Sequence, residues 1–220
     1  MAEIRDEDAL RRLYGHAGGR SVAKQLDRLD RHCLDFIALS PFVLIATADA
    51  YGATDVSPRG DLPGFVAARA HDLLIPDRPG NNRLDSLTNI LATGRVGLLF
   101  LVPGVDETLR VNGRAAIHDD AELTARFTVG GKAPRTVLKV EVAEAYLHCA
   151  KAFMRSRLWD VQAQVARSVL PTMGEMLRDQ IAGKSGSTSG STSGSTSGPS
   201  VVVEAESQEA MVERYRAILY

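Results

Sequence analysis

The chain is poor in cysteine and contains no long apolar run. It has only two cysteines, Cys33 and Cys149, too few for a disulfide framework, so we expect a protein with reduced thiols. No apolar run approaches the ~18 residues that would indicate a membrane span. The segment MAEIRDED at the start is too charged for a signal peptide. These features predict a cytoplasmic protein that is not embedded in a membrane.

The chain also lacks an excess of charge of either sign. Lys and Arg total 26 and Asp and Glu total 27, which gives a formal net charge of −1. Non-specific nucleic-acid and membrane-surface binders carry a basic excess, so we expect neither partner. Only five of the 26 basic residues are lysine, and the planar fork of arginine suits phosphate and carboxylate groups. Codon bias in a GC-rich genome would produce the same high number of arginines. Only the positions of the arginines are therefore informative.

Short β-rich runs dominate the middle of the chain. Phe42–Ala48 is such a run, and it ends at the turn signal Asp49–Gly52, which indicates a hairpin. The other predicted strands are Gly64–Ala70, Asp72–Pro76, Arg95–Val102, Thr108–Ile117 and Thr136–Tyr146. Too little helix lies between them for repeated βαβ crossovers. The pattern therefore predicts a mainly β protein with an antiparallel barrel and flanking helices.

Helical periodicity precedes, interrupts and follows these runs. From Ser21 as N-cap to Pro41, apolar residues recur at three- and four-residue steps, which predicts one helix. The other predicted helices are Leu87–Ala92, Ala121–Phe127, Ala150–Leu158, Met173–Ile181 and Glu206–Tyr220.

Three parts follow from the change in composition along the chain. Residues 1–183 form the predicted globular domain, with its N-terminal helix. Residues 184–200 are a Ser/Gly/Thr repeat that cannot bury anything, which predicts a flexible linker. Residues 201–220 return to helix, and their apolar stripe predicts docking on the domain or on a partner subunit.

Two segments concentrate polar groups beside tight turns. In residues 57–64, Ser57 and Arg59 offer a hydroxyl and a guanidinium to an anion; the alternative is a surface loop with an Arg59–Asp61 salt bridge. In residues 75–83 many donors converge just before a predicted helix, which indicates a phosphate site; the alternative is a long hairpin loop stabilised by its asparagines. The donors of this second segment are Arg78, Asn81, Asn82 and Arg83.

A third segment, residues 146–159, holds the single tryptophan of the chain. Lys151, Arg155 and Trp159 are spaced for one face of a helix, and two cations beside an aromatic plane suit a phosphorylated aromatic ligand. The alternative is an amphipathic helix whose cations face water and whose tryptophan is part of the core.

Signatures of other chemistries are missing. The chain has no Walker loop and no GxGxxG that opens a helix, which argues against the common nucleotide folds. His148 and Cys149 are adjacent, a spacing that suits neither a metal site nor a nucleophile pair. We predict no metal site, and no catalytic acid or base is assigned.

Taken in order, these motifs resemble the FMN-binding split-barrel flavoproteins related to pyridoxamine 5′-phosphate oxidase, and most closely a bacterial FMN-dependent subgroup. The strings that carry the resemblance are ATADAYGATDVSPRGD, LLIPDRPGNNR, GLLFLVPG, LRVNGRA and HCAKAFMRSRLW, between Ala46 and Trp159. The resemblance implies a six-stranded antiparallel split barrel, a homodimer and FMN at the subunit interface. The predicted FMN contacts are Ser57, Arg59, Arg78, Asn81, Asn82, Arg83, Lys151, Arg155 and Trp159.

The third segment departs from true pyridoxamine-phosphate oxidases. By the resemblance, those enzymes have an Arg at the position of Ala150 and a Ser at the position of Met154, and both residues hold the substrate phosphate. Losing an Arg–phosphate contact costs about 1.5–3 kcal/mol, so pyridoxamine phosphate is not the expected substrate. We expect an FMN-dependent oxidoreductase acting on an unidentified small molecule. The alternatives are a flavin-binding or flavin-sensing protein without turnover and, within the superfamily, deazaflavin or haem in place of FMN.

Overall fold

The computed structural model of the chain describes residues 3–185 and 206–220. The chain divides into two units, residues 1–159 and residues 160–220. The strands of the first unit are β1 Phe42–Ala48, β2 Thr54–Gly60, β3 Ala67–Ala68, β4 Asp72–Asp77, β5 Arg95–Leu101, β6 Thr108–His118 and β7 Thr136–His148. Its helices are α1 Glu7–Tyr14, α2 Gly19–Ala23, α3 Arg31–Leu39, α4 Asp85–Thr93, α5 Ala121–Ala125 and α6 Lys151–Ser156.

The second unit is helical where the structure describes it. It contains two 3₁₀ turns, Val161–Ala163 and Arg167–Val169, and the helices α7 Met173–Ser185 and α8 Gln208–Ala217. Helix α7 runs two residues into the predicted linker. The rest of that linker, residues 186–200, and the start of the tail, residues 201–205, lie outside the described residues. Docking of the tail stays a prediction.

The strands form one antiparallel sheet in the order β2-β1-β5-β6-β7-β4-β3, and the sheet is not closed. This mainly β architecture with flanking helices confirms the predicted class and fits a split barrel. The predicted count of six strands was wrong, because the sheet has seven. Across residues 3–185 and 206–220, each helix is either too short or too polar to span a bilayer.

Strand β2 confirms the hairpin predicted at Asp49–Gly52, although its own bounds were not predicted. Its last residues, Ser57–Gly60, were predicted as part of a loop, yet the strand pairs with β1 from Phe42↔Gly60 to Ala48↔Thr54. Because β2 lies at the edge of the sheet, Pro58 can occupy it without removing a ladder hydrogen bond from a central strand. The strand exists through its pairing rather than through its own β-propensity.

The helix predicted from Ser21 to Pro41 was also wrong as a single element. Between α2 and α3 the backbone of Leu26 pairs with Ala145 of β7, with N–H···O distances of 2.9 and 2.8 Å. Asp30 then caps α3 by accepting from the Cys33 amide at 2.9 Å, and this hydrogen bond lowers the pKa of Asp30. The predicted apolar stripe survives in part, since Cys33 and Ile37 are buried.

The core lies on one side of the curved sheet. Its fully buried side chains come from five strands and include Val43, Ile45, Leu73, Ile75, Leu98, Phe100, Leu109, Val111, Leu138 and Val140. A bulge interrupts the β6–β7 ladder, where Asn112 pairs with Glu144 but Gly113 pairs with Val142. A Cβ at Gly113 would overlap the carbonyl oxygen of Glu141, so the bulge requires glycine there.

Candidate functional site

A cleft lies at the split of the barrel, beside the edge strand β2 and the end of β4. Its volume is about 600 Å³, within the range of about 300–1,000 Å³ that is typical of small-molecule and cofactor sites. It is lined by residues 55–60 of β2, by residues 77–87 from the end of β4 into α4, and by Arg135. Six predicted site residues meet here: Ser57, Arg59, Arg78, Asn81, Asn82 and Arg83.

Ser57 and Arg59 reach the cleft from the edge strand and not from a loop. They pair with Ile45 and Val43 of β1, whose side chains are in the core, so both point to the core side of the sheet. The guanidinium of Arg59 donates to the Asp77 carboxylate at the end of β4. The alternative considered from the sequence paired Arg59 with Asp61; in the structure Arg59 pairs with Asp77, and Asp61 pairs with Arg78.

Arg78 is held on both sides by protein groups. Its Nε donates to Asp61 Oδ2 at 2.7 Å and its Nη1 donates to the carbonyl of Phe127 at 2.8 Å. The Arg78 and Asp61 side chains are 15% and 3% exposed, so this pair is shielded from water. Arg78 therefore lines the cleft while at least two of its N–H groups donate to other residues of the protein.

The loop between β4 and α4 is shaped by two residues in the left-handed region. Asn82 has φ 56° and Leu84 has φ 61°, and the Asn81 side chain accepts from the backbone amide of Arg83 at 3.1 Å. Arg83 itself is exposed, and its Nε donates to Asp85 Oδ2 at 2.7 Å. This hydrogen bond, with the charge of Asp85 and the nearby charge of Asp55, raises the pKa of Arg83.

Helix α4 begins in the cleft. Leu84 supplies no side-chain cap, so the amides of the first turn have no side-chain acceptor among the described residues. Buried Ser86 donates its hydroxyl proton to Asp55 Oδ2 at 2.5 Å, which ties the helix start to β2. An uncapped helix N-terminus carries a partial positive charge and favours an anion.

The third predicted segment lies outside the cleft lining. Helix α6 ends at Ser156, and Arg157 with φ 53° turns the chain away. The predicted single stripe of Lys151, Arg155 and Trp159 was therefore wrong, since the tryptophan follows the helix. Its ring stacks on Phe153 with centroids 5.5 Å apart, and its Nε1 donates to the Val105 carbonyl at 2.9 Å. Both cations are exposed, which agrees with the alternative of a structural tryptophan and solvated charges.

A polar cluster that the sequence did not reveal lies on the outer face of β6 and β7. Arg110 Nη1 donates to the Tyr146 hydroxyl at 3.0 Å, and Lys24 Nζ lies 5.2 Å from the centre of the same ring. The rings of Tyr146 and His148 are 5.0 Å apart. Burial lowers the pKa of His148, and the charges of Lys24 and Arg110 lower it further. Both effects favour the neutral imidazole over the protonated one.

Arg135 is one of the cleft residues that the sequence did not mark. It lies outside the three polar segments, and no sequence motif includes it. Asp77 and Ser86 were also missed, because their roles depend on partners in another strand. Only the placement of β2, the end of β4 and α4 around one cavity brings these residues together.

Comparison with known proteins identifies relatives of the whole barrel. A family model described as pyridoxamine 5′-phosphate oxidase matches residues 29–149, more than half of the chain. No curated protein matches the chain.

Similar solved structures include a HupZ variant from Group A Streptococcus, with 15% identity over 54% of this chain and 98% of that one, at a TM-score of 0.45. A putative pyridoxamine 5′-phosphate oxidase from Lactobacillus delbrueckii has 21% identity over 56% of this chain and 98% of that one, at a TM-score of 0.43. HutZ, the haem storage protein from Vibrio cholerae, has 14% identity over 55% of this chain and 94% of that one, at a TM-score of 0.39.

Proposed function

The chain belongs to the pyridoxamine 5′-phosphate oxidase family, and from this premise we propose that it is a flavoprotein whose cleft holds FMN. The observation that carries the proposal is the convergence of six predicted site residues on one cavity at the split of the barrel. They approach it from two elements that are not neighbours in the sheet. A set of donors gathered in this way suits a ligand with a phosphate at one end.

The residues of the cleft fit the phosphorylated end of FMN. The uncapped start of α4 offers backbone amides, and the arginines and the Ser57 hydroxyl offer side-chain donors. Arg83 keeps N–H groups beyond the one that it donates to Asp85, because a guanidinium has five. We propose that these groups hold the phosphate and that the asparagines contact the ribityl chain.

We propose a homodimer that completes the site. The outer face of β2 is apolar and exposed at Val56 and Pro58, which pair with Ala46 and Leu44 of β1. Both Val56 and Pro58 also line the cleft, so a subunit seated on this face would border the cofactor. Burying such a face stabilises a dimer by removing apolar surface from water.

The proposed activity is an oxidoreductase reaction on a small molecule. FMN supplies the electron-transfer chemistry when bound, while the protein positions it and controls access to it. The substrate is not expected to be pyridoxamine phosphate, because Ala150 and Met154 offer no phosphate ligand. Met154 is 63% exposed on the short helix α6, away from the cleft lining.

The experiment is to purify the protein, record its absorbance spectrum and identify any released cofactor by mass. We expect flavin bands, the mass of FMN, about one FMN per subunit and a dimer by light scattering. A colourless monomer that does not respond to added FMN would overturn the proposal. Haem bands or a deazaflavin mass would replace FMN with that cofactor. Tight FMN binding without turnover, when NADH or NADPH is offered with a range of acceptors, would favour a flavin-binding protein over an enzyme.

A further inference from the structure

We propose that Arg135 is the principal cationic ligand of the phosphate in the cleft, an inference that rests on FMN being the occupant. The cleft is lined by four arginines and three aspartates, so its charges nearly balance. These residues are Arg59, Arg78, Arg83, Arg135, Asp55, Asp77 and Asp85. Which arginine is available to a ligand therefore depends on how the charges are paired inside the protein.

Three of the four arginines face carboxylates of the protein. Arg59 pairs with Asp77, and Arg78 pairs with Asp61. Arg83 pairs with Asp85 and also lies in the field of Asp55. A phosphate that approached any of these three would compete with a carboxylate already in place, which weakens the net attraction.

Arg135 differs from them. It is exposed, and within residues 3–185 and 206–220 it has neither a hydrogen bond nor an ion pair through its side chain. It immediately precedes β7, whose first residue Thr136 pairs with Asp77 of β4, so its backbone is fixed beside the end of that strand. Buried Pro134 anchors the other side of Arg135. The guanidinium thus borders the cleft from a fixed base with its charge unneutralised.

The α4 N-terminus and Arg135 line the same cavity and complement each other. The helix start offers directional backbone donors with a partial charge, and Arg135 offers a full charge with a planar fork. A phosphate dianion in the cleft would contact both groups, whereas riboflavin, which lacks the phosphate, would contact neither. The affinity difference between FMN and riboflavin therefore reports on Arg135.

The test is to measure the affinities of FMN and riboflavin for wild type, Arg135→Gln, Arg135→Lys and a control, Arg95→Gln. Arg95 is an exposed arginine outside the cleft lining. We expect Arg135→Gln to weaken FMN binding on the order of 10- to 100-fold, with riboflavin changed less than about 2-fold. Arg135→Lys should recover part of the FMN affinity, and Arg95→Gln should bind both flavins as wild type does.

The outcomes separate this inference from the proposed function. A wild-type protein that binds neither flavin would overturn both. A wild type that binds FMN, with Arg135→Gln equally tight, would overturn the assignment of Arg135 alone. Equal losses for FMN and riboflavin in a variant with an unchanged melting temperature would also overturn it, because the arginine would then act on the rest of the flavin.

Discussion

Arg59 at the end of β2 forms an ion pair with Asp77 at the end of β4, two strands that are not neighbours in the sheet. The Arg78–Asp61 pair makes a second link, between the residues that directly follow β4 and β2. The four side chains are 3–20% exposed, so water screens these pairs less than a surface pair. Side-chain charges thus join β2 to the end of β4 beside the cleft.

Replacing Asp77 by Asn should lower the free energy of unfolding by about 1–3 kcal/mol, because it leaves the shielded Arg59 guanidinium without its carboxylate. Urea denaturation checks this value. The matched control is Asp35→Asn, which breaks the exposed Arg31–Asp35 pair, whose atoms are 3.6 Å apart, and should cost less than about 1 kcal/mol. Equal costs for the two variants would mean that the link across the split adds no stability.

The two cysteines should differ sharply in reactivity. Cys33 is buried in α3, where burial raises its pKa to about 11, while Cys149 is exposed. A thiol reagent at neutral pH should therefore modify one thiol per folded chain and two per chain in denaturant, since the thiolate is the reacting form. Cys149→Ser should abolish the reaction of the folded protein. Rapid modification of Cys33 in the folded state would contradict its placement in the core.

Gly113→Ala should destabilise the fold through the β6–β7 bulge. The added methyl group would overlap the Glu141 carbonyl, and relieving that overlap requires the two strands to shift, at about 1–3 kcal/mol. The control is Gly18→Ala, where the methyl group meets open space and φ is −66°, so the free energy of unfolding should change by less than about 0.5 kcal/mol. Unchanged stability in Gly113→Ala would show that the bulge tolerates a side chain.

Local pattern was sufficient for the central strands and insufficient for elements that depend on distant partners. Phe42–Ala48 was predicted with its observed bounds, because a continuous β-rich run bounded by Pro41 and a turn is a strong local signal. The hairpin after this run was predicted, but the bounds of β2 were not, because Pro58 and Gly60 suggest a turn and only pairing with β1 makes them a strand. The break between α2 and α3 has the same origin, since the Leu26 backbone is engaged by β7.

The candidate site shows the same limit. The donor-rich loop up to Arg83 could be recognised from its composition, and the structure brings it to the cleft. Arg135 is a single arginine without a motif, so its role depends on which charges the fold has already paired. Trp159 shows the converse, because its spacing suggested a ligand stripe while its indole packs on Phe153 and bonds to Val105.

The pKa of His148 is lowered first by burial and then by the charges of Lys24 and Arg110. The NMR titration midpoint of its imidazole should lie below the ordinary value of about 6.5. Lys24→Gln should raise that midpoint, and Lys151→Gln, which changes an exposed lysine on α6, should leave it unchanged. A midpoint at or above the ordinary value, or one that ignores Lys24→Gln, would contradict the proposed electrostatics.

The same shift predicts how stability depends on pH. Between the lowered pKa of the folded state and about 6.5, the unfolded chain binds more protons at this histidine than the folded one. Stability should therefore fall as the pH drops below about 6.5, because the cost of protonating His148 in the folded state grows as the pH falls and vanishes well above that value. His148→Gln should reduce this dependence. The measurement is the change in urea midpoint between pH 7.5 and pH 5.5, which lie about one unit above and below the unfolded-state pKa of about 6.5. If the variant and wild type lost stability equally over this interval, the acid sensitivity would have to come from other groups.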